Sequence, residues 1–420
     1  MVSVSIPEEL ILEILSRLPA KSATRFHSVS KLWASMLSRP YFKELFLTRS
    51  SAQPLLLFAI EKNGLWSIFS LPQHLSPYEK SKSSSTSLVV TAEFHMKFPP
   101  DGMLIYPPSD RRFSCGYASG LIYFHGMWIK EEDYEGVPVI CNPKTGRYAT
   151  VPALARYRKA YSFFGFDPIG KVYKVLFMAY PYCYDRHKIL TFGTGEMRWR
   201  KIKCSVRHEN VSEGICINGV VYYLGDTSEK MTDFVVVCFD VRSEKFNFIY
   251  PESYCELINY NGKLGLVYYD DYADDAIELR LWVLEDEEKQ EWSKYAYTLR
   301  DDKFLPHYVS IVGVTVTGEI VLSMADYTSK QPFYVFYFNP ERNTLQRVEI
   351  QGFGEYHGAF DQRSSVHVFV DDCSRFYRFA DHVECLNVNE LKLLKSKIYD
   401  GPNLKPEKSE SESESEEDFW

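Results

Sequence analysis

Residues 6–19 read IPEELILEILSRLP and carry the most regular pattern in the chain. Five apolar residues of this stretch share the spacing of one helical stripe: Leu10, Ile11, Ile14, Leu15 and Leu18. Pro7 suits a first helical turn, and Pro19 stops the helix because proline lacks a backbone N–H. The stretch therefore predicts a short amphipathic helix at the amino terminus.

Two further short helices follow from the next residues. Ser22–Val29 is compatible with one helix, and Ser30–Leu37 with another that ends before Pro40. A helical unit of about 40 residues is near the lower limit for folding without a partner or a packed neighbour. Its apolar stripe is also wider than three short helices need for themselves. We expect part of the stripe to face another protein, and packing on the chain's own second domain stays open as the alternative.

These residues resemble a known module. Ile6–Ser22 is similar to the F-box signature, and Arg25–Trp33 continues the similarity through its V-S-K-x-W element. The resemblance implies a trihelical hook that binds a Skp-type adaptor, which in turn joins a cullin. By motif position, the residues expected to pack against the adaptor or within the hook are Pro7, Leu10, Ile11, Ile14, Leu15, Leu18, Pro19, Val29 and Trp33. Spacing alone leaves open which of them face outward.

From Leu55 onward the hydrophobic period changes to two. Segments such as Val220–Leu224 and Phe333–Phe338 are β-branched and aromatic and are bounded by glycine, asparagine or proline. The aromatic share of 15% also favours pleated sheet. The larger part of the chain is therefore predicted to be all-β.

Two markers recur in order along this β region. The first marker is a glycine in a turn that precedes a hydrophobic strand. The second, 21 to 24 residues later, is a turn such as Asn142–Gly146 or Asn339–Asn343, in which a side-chain acceptor is followed by a proline. The turns repeat every 46 to 53 residues, the period of a four-stranded propeller blade. Five full units predict a propeller of about six blades, in which Leu55–Leu71, as an outer half-unit, and a strand pair in Val366–Phe379 share the closing blade. A β-sandwich is the alternative, although it would not require the fixed lag.

The β region resembles the plant F-box-associated domain in its kelch-like variants. The similarity is carried by Ser114–Gly116, Gly120–Ile122, Cys141–Thr145, Gly165–Asp167, Asn218–Tyr222, Phe239-Asp240, Leu281–Leu284 and Phe338–Pro340. It implies recognition of a protein substrate and names no substrate. With the F-box, it implies the substrate receptor of a Skp-cullin-F-box ubiquitin ligase.

The charge distribution and the cysteine pattern indicate the kind of partner and the cellular compartment. Of the net charge of −8, six negative charges lie within Glu407–Asp418, so the body is nearly neutral and no nucleic-acid partner is expected. Nine cysteines without a C-x-x-C pair argue against a disulfide framework and a thiolate zinc site. No signal peptide or membrane-spanning run is expected. We expect a protein of a reducing compartment, the cytoplasm or nucleus.

No motif for chemistry is found. Asp270, Asp271, Asp274 and Asp275 lack the glycine and terminal glutamate of a calcium loop and are interpreted as a solvated hairpin tip. No metal, cofactor or catalytic residue is therefore expected, and the chain is predicted not to be an enzyme. Two alternatives remain open: a propeller enzyme with an accessory helical module, and an F-box protein acting outside ubiquitination.

The predicted class is an α+β multidomain protein. The expected parts are an F-box at residues 1–47, a propeller that recognises substrate at 48–385, a terminal helix or extension at 386–406 and a disordered acidic Ser/Glu tail at 407–420. Four tail serines have an acid three residues downstream, which would suit an acidophilic kinase, with simple solubility as the rival interpretation; they are Ser409, Ser411, Ser413 and Ser415.

Overall fold

The structure is a computed structural model that describes residues 6–62, 65–73, 88–98, 103–104, 115–129, 137–152, 161–179, 187–192, 197–228, 233–273, 276–304, 309–325, 327, 331–353, 375–384 and 386. The predicted acidic tail, and the predicted extension apart from Leu386, lie outside these residues. Of the four aspartates considered as a metal site, Asp274 and Asp275 also lie outside them. Within the described residues, no helix is long and apolar enough to cross a bilayer.

Four helices open the chain. They are α1 (Glu8–Leu15), α2 (Ala20–Phe26), α3 (Lys31–Ser38) and α4 (Pro40–Ser51). The first three match the predicted helices to within a few residues, with Pro7 and Pro19 standing at the N-caps of α1 and α2. The fourth was not predicted, because Pro40 was interpreted as a terminator. It instead occupies the first turn of α4, where its missing N–H costs nothing.

The strands of the described part of the chain form six sheets. Blade I contains β1 (Leu55–Lys62), β2 (Leu65–Pro72), β4 (Glu93–Phe98) and β27 (Arg375–His382); blade II contains β5 (Met103–Leu104), β6 (Cys115–Ala118), β7 (Leu121–Ile129), β8 (Val137–Cys141) and β9 (Tyr148–Thr150). Blade III contains β10 (Tyr161–Asp167), β11 (Val172–Met178), β12 (Lys188–Thr191) and β13 (Arg200–Lys201); blade IV contains β14 (Glu209–Asn210), β15 (Ile215–Ile217), β16 (Val220–Asp226), β17 (Phe234–Asp240) and β18 (Lys245–Ile249). Blade V contains β19 (Glu256–Tyr260), β20 (Lys263–Ala273), β21 (Ala276–Asp286) and β22 (Glu291–Arg300); blade VI contains β23 (Val309–Val314), β24 (Ile320–Met324), β25 (Phe333–Asn339), β26 (Thr344–Gln351) and β3 (Leu88–Thr91).

The blades are arranged as a closed ring. The inner strands β6, β10, β15, β19, β23 and β27 contact one another in succession. The ring closes between β27 and β6, where the Tyr117 and Phe379 rings stack with centroids 5.1 Å apart. One apolar cluster lies between each pair of neighbouring blades, so every sheet is buried on both faces. The prediction of a six-bladed propeller is confirmed.

The closing blade joins the two ends of the β region, as predicted, but its strands divide differently. Strand β27 pairs antiparallel with β1, with Leu57 opposite Phe379. Leu55–Leu71 therefore supplies the two central strands, rather than an outer half-unit, and β27 supplies the inner one. Residues 366–374 of the predicted strand pair lie outside the described part of the chain. The outer strand is β4, which the repeat did not predict.

An additional strand covers the outer edge of blade VI. Strand β3 pairs parallel with β26, with Leu88 opposite Val348 and Ile350 opposite Val90. Leu88 and Val90 pack against the apolar cluster between blades VI and I. The only parallel pairing among the described strands thus ties the early part of the β region to its last full blade.

The repeating turns have the predicted chemistry. Asn142 Oδ1 accepts hydrogen bonds from the backbone N–H groups of Lys144 and Thr145, at 2.9 and 3.0 Å. Asn339 Oδ1 accepts from Arg342 N–H at 3.0 Å in the equivalent turn. The side-chain acceptor satisfies backbone donors that a tight turn leaves without a strand partner, which explains why Asn or Asp recurs there.

Candidate functional site

Helix α1 has apolar residues on two sides. Leu12 and Leu15 point into the helical module and are 5% and 3% exposed. Leu10 and Ile14 lie on the opposite side and remain 53% and 55% exposed. A helix that only had to pack on its own chain would carry polar residues on its second side. The exposed stripe of α1 is therefore available to another molecule.

Other large apolar side chains of the helical module are also exposed. Ile6 precedes α1, while Val29 and Leu32 flank the start of α3, and all three are about 60% exposed. We call Ile6, Leu10, Ile14, Val29 and Leu32 the exposed apolar face. Single exposed apolar residues are ordinary on a protein surface, whereas five within 27 residues of one small module are typical of an interaction site.

The module already has a complete core without these residues. Its buried side chains are Leu12, Leu15, Ala20, Ala23, Met36, Leu37, Phe42, Phe46 and Leu386. The unpredicted α4 contributes Phe42 and Phe46, one turn apart on its inner side. The exposed apolar face is consequently not needed to fill the module's interior.

The nine predicted contact residues divide into three groups. Exposed are Pro7, Leu10, Ile14, Pro19 and Val29; half-buried are Ile11, Leu18 and Trp33; buried is Leu15. Leu15 belongs to the module's own core. Of the two roles predicted for these residues it therefore has the one within the hook, and substituting it would test folding. Ile6 and Leu32 were missed, although both stand inside the recognised motif and could have been found there.

Ion pairs and one capping bond position the exposed apolar face. The Arg39 guanidinium pairs with Glu8 at the start of α1, and Arg49 on α4 pairs with Glu13. Hydrogen bonds from Arg17 and Arg49 lower the pKa of the Glu13 carboxyl. Ser30 Oγ accepts from Trp33 N–H at 3.2 Å and caps α3. These contacts hold α1 against the later helices without using its outer side.

The helical module is docked on the propeller through Glu384, just after β27. Glu384 Oε2 accepts a 2.6 Å hydrogen bond from the Ala20 N–H, the first residue of α2. Helix α2 has no side-chain cap of its own, because Pro19 occupies that position. A carboxylate at a helix amino terminus is favourable for both the unsatisfied N–H groups and the helix dipole. The residue after β27 thus supplies the cap of α2, and Leu386 contributes to the core of the helical module.

A buried polar network continues from Glu384 into the propeller. Lys144 Nζ lies 3.3 Å from Glu384 Oε1 and donates to His95 Nε2 at 2.8 Å. Ser70 Oγ lies 2.7 Å from the same histidine nitrogen. Burial, followed by the Lys144 charge, lowers the pKa of His95 to about 3. The imidazole is therefore neutral at physiological pH and serves as an acceptor in this network.

Carboxylates also approach each other near the propeller axis. Glu213 precedes the inner strand β15 and Glu256 begins the inner strand β19, and Arg378 on β27 acts electrostatically on both. Partial loss of hydration raises the pKa of Glu213 to about 7, although the residue keeps an exposed surface. Glu256 Oε2 accepts from Tyr269 O–H at 2.9 Å. Within the described residues, no three His, Cys, Asp or Glu side chains are grouped to hold a metal ion.

A six-bladed propeller with an amino-terminal helical module that exposes an apolar face defines a two-part binding protein. Two family profiles match this division. The F-box domain profile matches residues 4–45, and the F-box associated beta propeller domain profile matches residues 55–383. The chain belongs to the family of F-box proteins with an F-box associated beta propeller domain.

Similar proteins occur in Arabidopsis thaliana. F-box protein At1g47340 is 78% identical over 97% of this chain and 88% of its own length. Putative F-box protein At2g16220 is 56% identical over 98% of this chain and 97% of its own. F-box domains generally bind Skp-type adaptors. The domain pair and the relatives' names fit the role of a substrate adaptor.

Proposed function

We propose that this chain is the substrate-recognition subunit of a Skp-cullin-F-box ubiquitin ligase. In this proposal the exposed apolar face binds a Skp-type adaptor, the adaptor joins a cullin, and the propeller holds a protein substrate. The observation that carries the proposal is the outward apolar stripe of α1, Leu10 and Ile14, on a module whose core is already complete. Covering that stripe on binding would remove apolar surface from water and stabilise the complex.

The propeller and its attachment support the receptor half of the proposal. Blades that are buried on both faces form a rigid support, and the loops between strands are free to vary for binding. The Glu384 bond to α2 and the Lys144–Glu384 pair connect this support to the module directly. A fixed connection would hold a bound substrate at a defined distance from the ligase, which raises its effective concentration at the conjugating enzyme.

In this proposal the chain carries out no chemistry itself. Ubiquitin transfer would occur on a conjugating enzyme, and the chain would act in the cytoplasm or nucleus. The pair of carboxylates at Glu213 and Glu256 favours one rival, an enzyme that uses the propeller axis. Glu213→Gln separates the two: if the propeller axis is a catalytic site, turnover measured for the wild-type protein should be lost in this variant, whereas a substrate receptor shows no turnover in either protein.

The direct test is reconstitution with a purified Skp-type adaptor. The proposal predicts a one-to-one complex in size-exclusion chromatography, and a larger complex when cullin is added. Absence of any complex with a full set of the plant adaptor isoforms would contradict it. Substrates can then be sought by proximity labelling from the propeller while the proteasome is inhibited.

A further inference from the structure

A cavity lies where the helical module meets the propeller. Its volume is about 270 Å³, and its walls come from α2, α3, α4, the turn between β8 and β9, and the residue that follows the closing blade. The residues lining it are Ala23, Thr24, His27, Leu37, Ser38, Lys43, Arg147 and Leu386. It belongs to neither the exposed apolar face nor the propeller axis.

The chemistry of the cavity favours an anionic occupant. Lys43 lines it from α4 of the module, and Arg147 lines it from the propeller. The hydroxyl groups of Thr24 and Ser38 already donate to the helix carbonyls of Ala20 and Ala34. No acidic side chain is among the described residues that line the cavity. Lys43 and Arg147 also take part in other polar interactions, so it is the excess of basic over acidic side chains in the lining that favours an anion. Arginine and lysine close to apolar surface are the residues that bind carboxylates and phosphates most strongly.

The position at which the chain leaves the described structure indicates the occupant. Leu386 is itself part of the cavity wall, and residues 387–420 continue from it. Within that continuation, Glu407–Asp418 carries seven acidic residues and one lysine. The 20 residues between Leu386 and Glu407 have a maximum reach of about 70 Å, which is long enough for the acidic segment to return to the cavity.

We propose that the acidic Ser/Glu segment Glu407–Asp418 docks into this junction cavity of its own chain, with its carboxylates against Lys43 and Arg147. Because the segment is tethered, its effective concentration is on the order of 1 mM, so an intrinsic Kd of about 1 mM gives half occupancy. Phosphate on the alternating serines would add charge and strengthen the contact. The docking is independent of adaptor binding, since it uses a different surface.

Zero-length carbodiimide crosslinking of the full-length protein tests the proposal, because the reagent joins an amine to a carboxylate only when the two are in contact. Mass spectrometry should find Lys43 joined to residues 409–420 at least fivefold more often than the exposed lysines Lys201 and Lys245. The Arg147→Glu variant should lower this yield at least fivefold, as should 0.5 M NaCl, because salt screens exposed charges.

Arg342→Glu is the matched control, since it reverses an exposed arginine in the equivalent turn of blade VI. Its crosslinks should equal those of the wild type, and both variants should keep the wild-type Tm. Crosslinks spread over the exposed lysines without preference, or a yield unaffected by Arg147→Glu, would overturn the proposal. Occupation of the cavity by free phosphate would also overturn the proposal. In that case 10 mM inorganic phosphate would lower the reactivity of Lys43 to the same extent in the full-length protein and in a chain lacking residues 407–420. Adaptor binding measured on the same samples separates this result from failure of the proposed function.

Discussion

Replacing Ile14 by aspartate should weaken adaptor binding strongly without unfolding the protein. Ile14 is 55% exposed, so docking can remove about half of its side chain from water. Burying a whole isoleucine contributes about 1.5–3 kcal/mol, which makes the exposed half worth about 1 kcal/mol. Ile14→Ala should therefore weaken the Kd by about fivefold, at 1.4 kcal/mol for each factor of ten.

The aspartate adds a second cost to that loss. An unpaired carboxylate buried against apolar surface costs several kcal/mol, so Ile14→Asp should weaken the Kd by at least about 100-fold. Isothermal titration calorimetry with the purified adaptor gives both values. In the folded free protein the new carboxylate is exposed to water, and the Tm should stay within a few degrees of the wild type.

Ile169→Asp is the matched control for this experiment. Ile169 is 69% exposed and lies in the turn between β10 and β11, on the propeller. The same substitution there should leave the adaptor Kd unchanged. If Ile14→Asp binds within about threefold of wild type while its Tm is unchanged, the outward stripe of α1 is not the docking surface and the reasoning fails.

Three further predictions concern stability. Leu15→Ala, in the core, should lower the free energy of unfolding by about 2–5 kcal/mol. Leu10→Ala, on the exposed side, should change it by less than about 0.5 kcal/mol. Equal losses of the two variants in urea titrations would contradict the division of α1 into two sides. Glu384→Leu should remove the external cap of α2 and speed hydrogen exchange at the Ala20 amide at least tenfold, and unchanged exchange would refute the cap. The folded pKa of His95, about 3, lies below its ordinary 6.5, so its contribution to stability is present above pH 6.5 and is lost as the pH falls toward 3, by at most about 1.4 kcal/mol per pH unit. His95→Gln should therefore be less stable at pH 7 yet lose stability less steeply between pH 6.5 and 4.5, and parallel curves would exclude this assignment.

The blade repeat was predictable because its turns have strict requirements. Asn142 and Asn339 recur since each must accept backbone hydrogen bonds within a short turn. Gly165 illustrates a requirement that cannot be predicted from local pattern. A Cβ there would lie 2.6 Å from Val241 and 2.7 Å from Val221, both in the next blade. Such a contact depends on how blades meet, which one strand's periodicity does not report.

The parts of the propeller that were missed involve pairing between distant residues. Strand β3 is four residues long, and its parallel partner β26 lies more than 250 residues later. Leu88–Thr91 has the β-branched composition of a strand, but four residues cannot indicate the partner, because the pairing depends on the exposed edge of blade VI. The order of the strands in the closing blade was missed for the same reason, because β27 takes its place by pairing with β1, more than 300 residues earlier in the chain.

For the candidate site, periodicity located the helix but not its orientation. Leu10, Ile11, Ile14 and Leu15 have the spacing of one stripe, yet the structure exposes Leu10 and Ile14 and buries Leu15. The deciding contacts come from α3, α4 and Leu386, which are remote in sequence or were not predicted as helix. The external cap from Glu384 was likewise unpredictable, since it joins residues 364 positions apart.

The most direct test of the proposed function is ubiquitination of a substrate captured by the propeller. Cells would express the wild type, Ile14→Asp or Ile169→Asp, and the ubiquitin on a protein captured by all three would be measured under proteasome inhibition. The proposal predicts equal capture by the three proteins, with ubiquitin lost only in Ile14→Asp. Equal ubiquitination with the wild type and both variants would contradict the assignment of this chain as the ligase's substrate receptor.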